Sequence, residues 1–227
     1  AVTDTSVLLT GETGTGKEVF AQAIHHASPR AKGAFVAVNC SAFSKELLES
    51  ELFGHRAGSF TGATKDKKGL FEEADKGTLF LDEIGNLSYH LQAKLLSAIQ
   101  SRTIVRVGSN RSVETDVRLI CATNQNLQAM VAQERFRRDL LYRINTIHIE
   151  IPPLRQRRED IVPLARLFLE KYAAKYGKQG IRIDEEACRK LQEYDWYGNI
   201  RELQHTVEKA VIICDSMTIG QESLLMT

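Results

Sequence analysis

Five short runs of nearly unbroken apolar character recur along the first two thirds of this chain: SVLLT at 6–10, FVAVNC at 35–40, TLFLDE at 78–83, VRLICATN at 117–124 and TIHIEI at 146–151. A strand with one face in water alternates apolar and polar residues, whereas a strand covered on both faces does not. Helical patterns at 16–27, 45–53, 88–100 and 126–143 separate these runs, with a shorter one in GLFEEADKG. That alternation predicts an α/β fold: a mostly parallel sheet between two layers of helices. After IPPLRQRRED the character changes. No further strand is expected, and three helical patterns follow at 158–175, 184–194 and 199–213. The last opens with Asn199 as the expected N-cap and Glu202 three residues on, then carries Ile200, Leu203, Val207 and Ala210 along one face. Pro152-Pro153 marks the expected boundary between an α/β domain, 1–153, and a small helical one, 154–227.

Composition removes several function classes. An apolar content of 43%, a charged content of 26% and a net charge of +1 describe an ordinary water-soluble domain, not a general binder of polyanions. Cys40, Cys121, Cys188 and Cys214 lie far apart and form no C-x-x-C pair, so neither a disulfide framework nor a zinc knuckle is indicated. Cys40 and Cys121 end apolar runs and read as buried thiols in a reducing compartment. His25-His26 lacks the glutamate of a metal-binding H-E-x-x-H helix. No apolar run reaches membrane-spanning length and no signal peptide is visible. The chain opens at Ala1 without an initiator Met, and the expectation is an excised piece of a longer cytoplasmic protein.

GETGTGKE, Gly11 to Glu18, follows the first apolar run directly and opens a helical pattern. Glycines let the backbone wrap a phosphate with N–H groups pointing inward, and the helix N-terminus adds positive potential. Lys17 is then placed to reach the outer phosphates of a nucleotide. A cation in a helix's first turn is otherwise disfavoured, which points to an anion there. Glu18 stands where a generic phosphate loop has the Ser or Thr that holds Mg²⁺, so metal ligation must rest on phosphate oxygens, waters and a carboxylate elsewhere. TLFLDE supplies that carboxylate: Asp82 to face the metal, directly or through water, and Glu83 to polarise a water for attack on the γ-phosphate.

In this order the pieces resemble the AAA+ P-loop ATPases, and more finely the central domain of bacterial sigma-54-dependent transcriptional activators, over essentially the whole chain. GSFTGA, Gly58 to Ala63, resembles the family's GAFTGA loop with Ser59 in place of Ala, and GETGTGKE is similar to its phosphate loop, Glu18 included. ESELFGH before the loop and GTLFLDEI after it fit as well. The resemblance implies a three-layer αβα ATPase with a helical lid, using ATP and Mg²⁺. Gly11, Glu12, Thr13, Gly14, Thr15, Gly16, Lys17 and Glu18 would hold nucleotide, and Asn39 would contact Glu83 until nucleotide binds. Thr123-Asn124 match the γ-phosphate sensor. FRRDLLYRIN resembles the arginine-finger segment, so Arg137 and Arg143 would act on a neighbour's nucleotide; Arg138 replaces a usual Glu. WYGNIREL resembles the second sensor segment, with Tyr197 where Pro is usual and Arg201 toward the nucleotide. Each residue also has a plainer reading: Asn39 and Asn124 as turn caps, the arginines as a solvated face.

RTIVRVGSNRSVETD reads as a β-hairpin turning at Gly108-Ser109-Asn110, either a second surface insertion that cooperates with the Gly58–Ala63 loop or a plain connection. The implied partners are sigma-54 and its RNA polymerase, and copies of this chain in a ring of six or seven. DNA binding is expected only through a domain outside these residues. An unfoldase or chelatase-type motor, or a module that binds ATP without turnover, are the alternatives. One feature of the loop is physical on its own terms. Phe60 and Thr61 lie between Gly58 and Gly62 in a segment without hydrophobic period, as suits a contact tip that is exposed at one step and withdrawn at another.

Overall fold

In the computed structural model, which describes residues 3–226, the chain divides into two compact units. The first holds the chain up to Thr10 together with Lys17–Glu150; the second holds Gly11–Gly16 and the chain from Ile151 onward.

In the first unit the elements run β1 (Val7–Thr10), α1 (Lys17–His26), β2 (Phe35–Asn39), α2 (Lys45–Phe53), α3 (Leu70–Glu73), β3 (Thr78–Asp82), α4 (Tyr89–Ser101), β4 (Thr103–Val105), β5 (Ser112–Glu114), β6 (Arg118–Thr123), α5 (Leu127–Ala132), α6 (Arg138–Ile144) and β7 (Ile147–Glu150). Five strands form one parallel sheet in the order β2-β3-β6-β1-β7. The expected apolar runs are these five strands.

The alternation along each strand explains both cores. Leu8, Leu79, Leu81, Leu119 and Cys121 face one side, where Leu48, Leu52, Leu91, Leu95, Leu140 and Ile144 of α2, α4 and α6 cover them. Val7, Leu9, Phe80, Ile120 and Ala122 face the other, against Ala21 and Ile24 of α1. Serine caps begin two of the covering helices: the Ser44 hydroxyl accepts from Leu47 N–H and that of Ser88 from Leu91 N–H.

The helix expected over 126–143 is two helices. Glu134 adopts φ +56°, and the break between α5 and α6 is held by Gln92, whose amide donates to Arg135 O (3.0 Å) and accepts from Arg137 N–H (2.8 Å). Apolar periodicity carries through the break because Met130 and Phe136 enter the same core as Leu140. The β4–β5 hairpin forms where expected, pairing Thr103 with Glu114 and Val105 with Ser112.

The second unit packs α7 (Ile161–Lys175), α8 (Glu185–Glu193) and α9 (Asn199–Ile213) around Trp196, whose indole N–H donates to Leu191 O at 2.7 Å. It also contains two strands that the sequence did not announce, β8 (Arg182–Ile183) and β9 (Thr218–Ile219), paired in parallel. At two residues each, they carry no readable period. Lys178 closes the C-terminus of α9, its ammonium donating to the carbonyls of Val211, Ile212 and Cys214. Cys40, Cys121 and Cys214 are buried free thiols, and burial pushes Cys40 up to about 12. No helix among the described residues is long and apolar enough to cross a membrane.

The two-sided sheet predicts unequal costs for equal truncations. Leu81→Ala, in a fully buried strand, should lose about 3 kcal/mol of unfolding free energy in urea titration, while Leu47→Ala, half exposed on α2, should stay within about 0.5 kcal/mol of the parent.

Candidate active site and loop

In the first unit, parallel pairing in register brings strand ends together: Asn39 is level with Asp82, and Thr10 with Thr123. Glu83, the residue after β3, adopts left-handed φ 53°, ψ 47°, a conformation a non-glycine residue holds only when its surroundings fix it. The Asp82 carboxylate accepts from Glu83 N–H at 3.0 Å, and Glu83 Oε2 lies 3.5 Å from Asn124 N. Lys17 opens α1 and is buried, with its ammonium 4.0 Å from Glu83 Oε1. Glu18 is exposed one residue later.

The expected contact between Asn39 and Glu83 is not the one made here. Asn39 Oδ1 accepts instead from the N–H and hydroxyl of Ser41, at 2.8 and 2.7 Å, because the turn after β2 offers both donors at once. From Ser41 a polar chain runs on to the Asn86 amide (3.2 Å) and from Asn86 to Gln125 (2.9 Å), whose backbone N–H is held by the Thr123 hydroxyl. Neither Asn86 nor Gln125 was singled out from sequence, since an amide pair 39 residues apart leaves no local signature.

Arg137 caps α6 and is held in a fork by Asp139, at 3.0 and 2.8 Å, with its guanidinium over the Tyr89 ring. The substitution at Arg138 therefore leaves Arg137 paired, through the next acid along. Arg143 is exposed and lines a surface cavity with Arg102 and Thr146. Among the described residues neither arginine bonds to Asp82 or Glu83.

The Gly58–Ala63 loop stands on a tied stem. His55 exchanges both backbone bonds with Lys67, while Arg56 and Gly54 bond Val107 beside the β4–β5 hairpin. A fork from Arg106 to Glu72, at 2.8 and 2.7 Å, anchors that side further. The hairpin is thus hydrogen-bonded to the stem of the loop, beyond a plain connection. The tip folds on itself, with Gly58 N–H to Ala63 O at 2.7 Å. Gly58 and Gly62 have φ +79° and +100°, and a Cβ at either would meet nothing; they serve the turn and not a close approach. Phe60 is 38% exposed, its ring edge-on to buried His55, so the tip is half sheltered. Ser59 Oγ is buried without a hydrogen-bond partner, and its Cβ faces Gly108, where an added Cβ would lie 2.6 Å away.

In the second unit, Gly11–Gly16 form a loop whose outer side is bonded throughout. Arg155 grips the Glu12 carboxylate with both nitrogens, at 2.8 and 2.5 Å. Asn199 donates to Glu12 Oε2 and to Thr13 O and accepts from Leu154 N–H. This corrects the expected cap: Asn199 is the first helical residue, at φ +54°, its side chain taken by these partners, and Glu202 reaches back to Gly198 N–H instead. Ile200 N–H donates to Gly14 O, and Arg157 to Thr15 O. The Arg155 fork and the Asn199 amide hold Glu12 down near 2. Arg201 is exposed in the first turn of α9.

The profile of the Sigma-54 interaction domain matches residues 1–150, and that of the AAA+ ATPase lid domain matches 155–226. The chain belongs to the sigma-54 interaction domain family. Relatives in this family include Regulatory protein AtoC of Escherichia coli (strain K12), 51% identical over 224 residues, covering 99% of this chain and 49% of AtoC. A Nif-specific regulatory protein of Azospirillum brasilense is 52% identical over 219 residues, covering 96% and 35%. NtrX from Brucella abortus in complex with ADP superposes with a TM-score of 0.90 at 36% identity, over 98% of this chain and 50% of that one. The same protein with ATP gives 0.89 over 99% and 50%. The chain therefore spans about half the length of AtoC and NtrX and less of the Nif regulator. The fold is that of the AAA+ proteins, an αβα sheet domain followed by a helical lid.

Within the sigma-54 interaction domain the unpaired Ser59 hydroxyl makes a measurable demand. Ser59→Ala removes a buried polar group without opening a large cavity, and should stabilise the sheltered loop by about 1 kcal/mol. Hydrogen exchange at the Gly58 and Ala63 amides should slow accordingly, and unchanged exchange would show that the hydroxyl is satisfied in solution.

Proposed function

We propose that this chain is the ATP-hydrolysing motor of a sigma-54-dependent transcription activator in the cytoplasm. The observation that carries the reading is the pairing of buried Lys17 with Glu83 at the end of β3. A lysine buried beside a carboxylate in a strained strand-end turn suits a site in which phosphate takes over the lysine and frees the acid. Gly11, Thr13, Gly14, Thr15 and Gly16 then wrap the phosphates, and Lys17 neutralises the outer ones. Glu83 orients and deprotonates the attacking water, Asn124 reports the γ-phosphate, and Asn39 takes up Glu83 in part of the cycle. Arg201 reaches the nucleotide from the lid. Arg137 and Arg143, neither bonded to Asp82 or Glu83 among the described residues, serve a neighbour's nucleotide, which makes a ring of six or seven copies the working form.

The residues present fit a magnesium ion bound largely through phosphate. Among the described residues no three acids, cysteines or histidines converge, and Asp82 keeps one carboxylate oxygen beyond its bond to Glu83 N–H. Asp82 would hold the ion, through water, and the ion would neutralise charge on the phosphate oxygens. Nucleotide binding is further supported by the family relationship to NtrX, a protein crystallised with ADP and with ATP.

Phe60 and Thr61 form the contact with sigma-54, and each hydrolysis cycle moves them against the closed polymerase complex. DNA is held by a domain outside these residues. Two measurements test the reading together. Glu83→Ala should lower phosphate release by about a hundredfold or more while ATP still binds. Phe60→Ala should hydrolyse ATP near the parent rate yet form no open complex with the sigma-54 polymerase. Hydrolysis that survives in Glu83→Ala would remove the motor; hydrolysis that dies in Phe60→Ala would make the tip part of the fold.

A further inference from the structure

The outer side of the phosphate loop is fastened more completely than a flexible turn needs. Of its carbonyls, Glu12 O accepts from the Thr15 hydroxyl at 2.8 Å, Thr13 O from Asn199 at 3.1 Å, Gly14 O from Ile200 N–H at 2.9 Å and Thr15 O from Arg157 at 2.9 Å. In a trans peptide the C=O and the following N–H point in opposite directions. Drawing the Thr13 and Thr15 carbonyls outward therefore turns the N–H groups of Gly14 and Gly16 the other way, to the concave side. Their φ values of +82° and +95° are those that only glycine holds cheaply, and a Cβ at Gly14 would collide with the Gly198 carbonyl.

One charged contact fixes the frame. The Glu12 side chain, although within the phosphate loop, is committed to the Arg155 fork and to Asn199. Two parallel N–H···O bonds set both distance and orientation, as a single ammonium cannot. Tyr197 places its ring 6.0 Å from the Arg155 guanidinium and so braces the same arginine.

We propose that Arg155 is a positioning residue for nucleotide. Its fork on Glu12, with Asn199 beside it, holds the loop carbonyls outward and so pre-forms the N–H cradle before phosphate arrives. Glu12 acts as an anchor of the loop and not as a ligand. The inference rests on the nucleotide reading above and adds the source of the loop's order. An anchor of this kind is felt in binding: without it, nucleotide must organise the loop on entry, and affinity falls while the chemistry at saturation is kept.

The test is a double-mutant cycle on the whole chain, read by the dissociation constant of a fluorescent methylanthraniloyl-ATP and by kcat at saturating ATP. Arg155→Ala and Glu12→Gln should each weaken binding by about tenfold with kcat within about threefold, and the double variant should be no weaker than either single. Arg155→Lys, which keeps the charge and loses the fork, should fall between. Losses that multiply to about a hundredfold in the double variant would show that the two act separately and overturn the inference. So would an Arg155→Ala chain that is folded by circular dichroism and binds as the parent does. If Arg155→Ala fails to fold, the Lys variant decides by the same criterion. A parent chain that binds no nucleotide would remove the nucleotide reading and this inference together, whereas a binding parent with an indifferent Arg155→Ala removes only the latter.

Discussion

Everything chemical in the first unit depends on one constraint, a parallel sheet whose inner strands β1, β3 and β6 are buried on both faces. Burial on both sides leaves a strand only its ends for polar work, and parallel pairing puts all the C-terminal ends on one edge. The register sharpens this: Asn39 is level with Asp82, and Thr10, from which the Gly11–Gly16 loop departs, with Thr123. Four residues of ordinary strand chemistry are thereby delivered to one edge of the sheet by hydrogen bonds made elsewhere. The strained Glu83 turn is affordable because the strand before it is fixed by Leu79, Phe80 and Leu81 on both sides.

The same edge shows why Asn39, Ser41, Asn86 and Gln125 form a chain of bonds. Polar side chains crowded at strand ends compete for a few donors, and the arrangement that satisfies the most wins. Asn39 Oδ1 accepts twice from Ser41, which leaves its amide nitrogen as the group that a carboxylate such as Glu83 can take up. Any movement that carries Asn39 Oδ1 away from Ser41 must break two local bonds. That raises the threshold for switching without abolishing it, since each such bond contributes about 1 kcal/mol net.

How much was legible in the sequence follows from the range of each interaction. The inner strands β1, β3 and β6 were readable because two-sided burial writes an unbroken apolar run, the edge strands β2 and β7 by their apolar residues although they are only partly covered, and most helices because one face repeats. The interruption between α5 and α6 was hidden because Met130 and Phe136 keep the apolar rhythm across it, while the cause lies 43 and 45 residues away in Gln92. Asn199 looked like a cap because an Asn before a helix with Glu at the third position usually is one. Here tertiary partners compete for the side chain: Leu154, Glu12 and Thr13 give it more bonds than the helix could. Arg155 was invisible for the same reason, since its carboxylate partner is 143 residues away. The grouping of Gly11–Gly16 with the helical unit, and not with the sheet that carries β1, is the same effect at the scale of a segment.

Three residues depart from the family's usual pattern, and their surroundings absorb them unequally. Arg138 replaces an acid, but Asp139 already occupies the Arg137 fork, so the change of charge falls on an exposed helix face. Tyr197 replaces a proline and gives up rigidity in the turn, yet it gains a cation to cover in Arg155. Ser59 alone goes unanswered, a hydroxyl enclosed by the neighbouring hairpin with nothing to bond. An unpaired buried hydroxyl raises the free energy of whichever state encloses it. In this chain that state is the sheltered loop, with Phe60 edge-on to His55. The same substitution that looks conservative in sequence therefore disfavours the sheltered loop relative to any arrangement in which the hydroxyl meets water, and it does so without touching the Lys17–Glu83 pair.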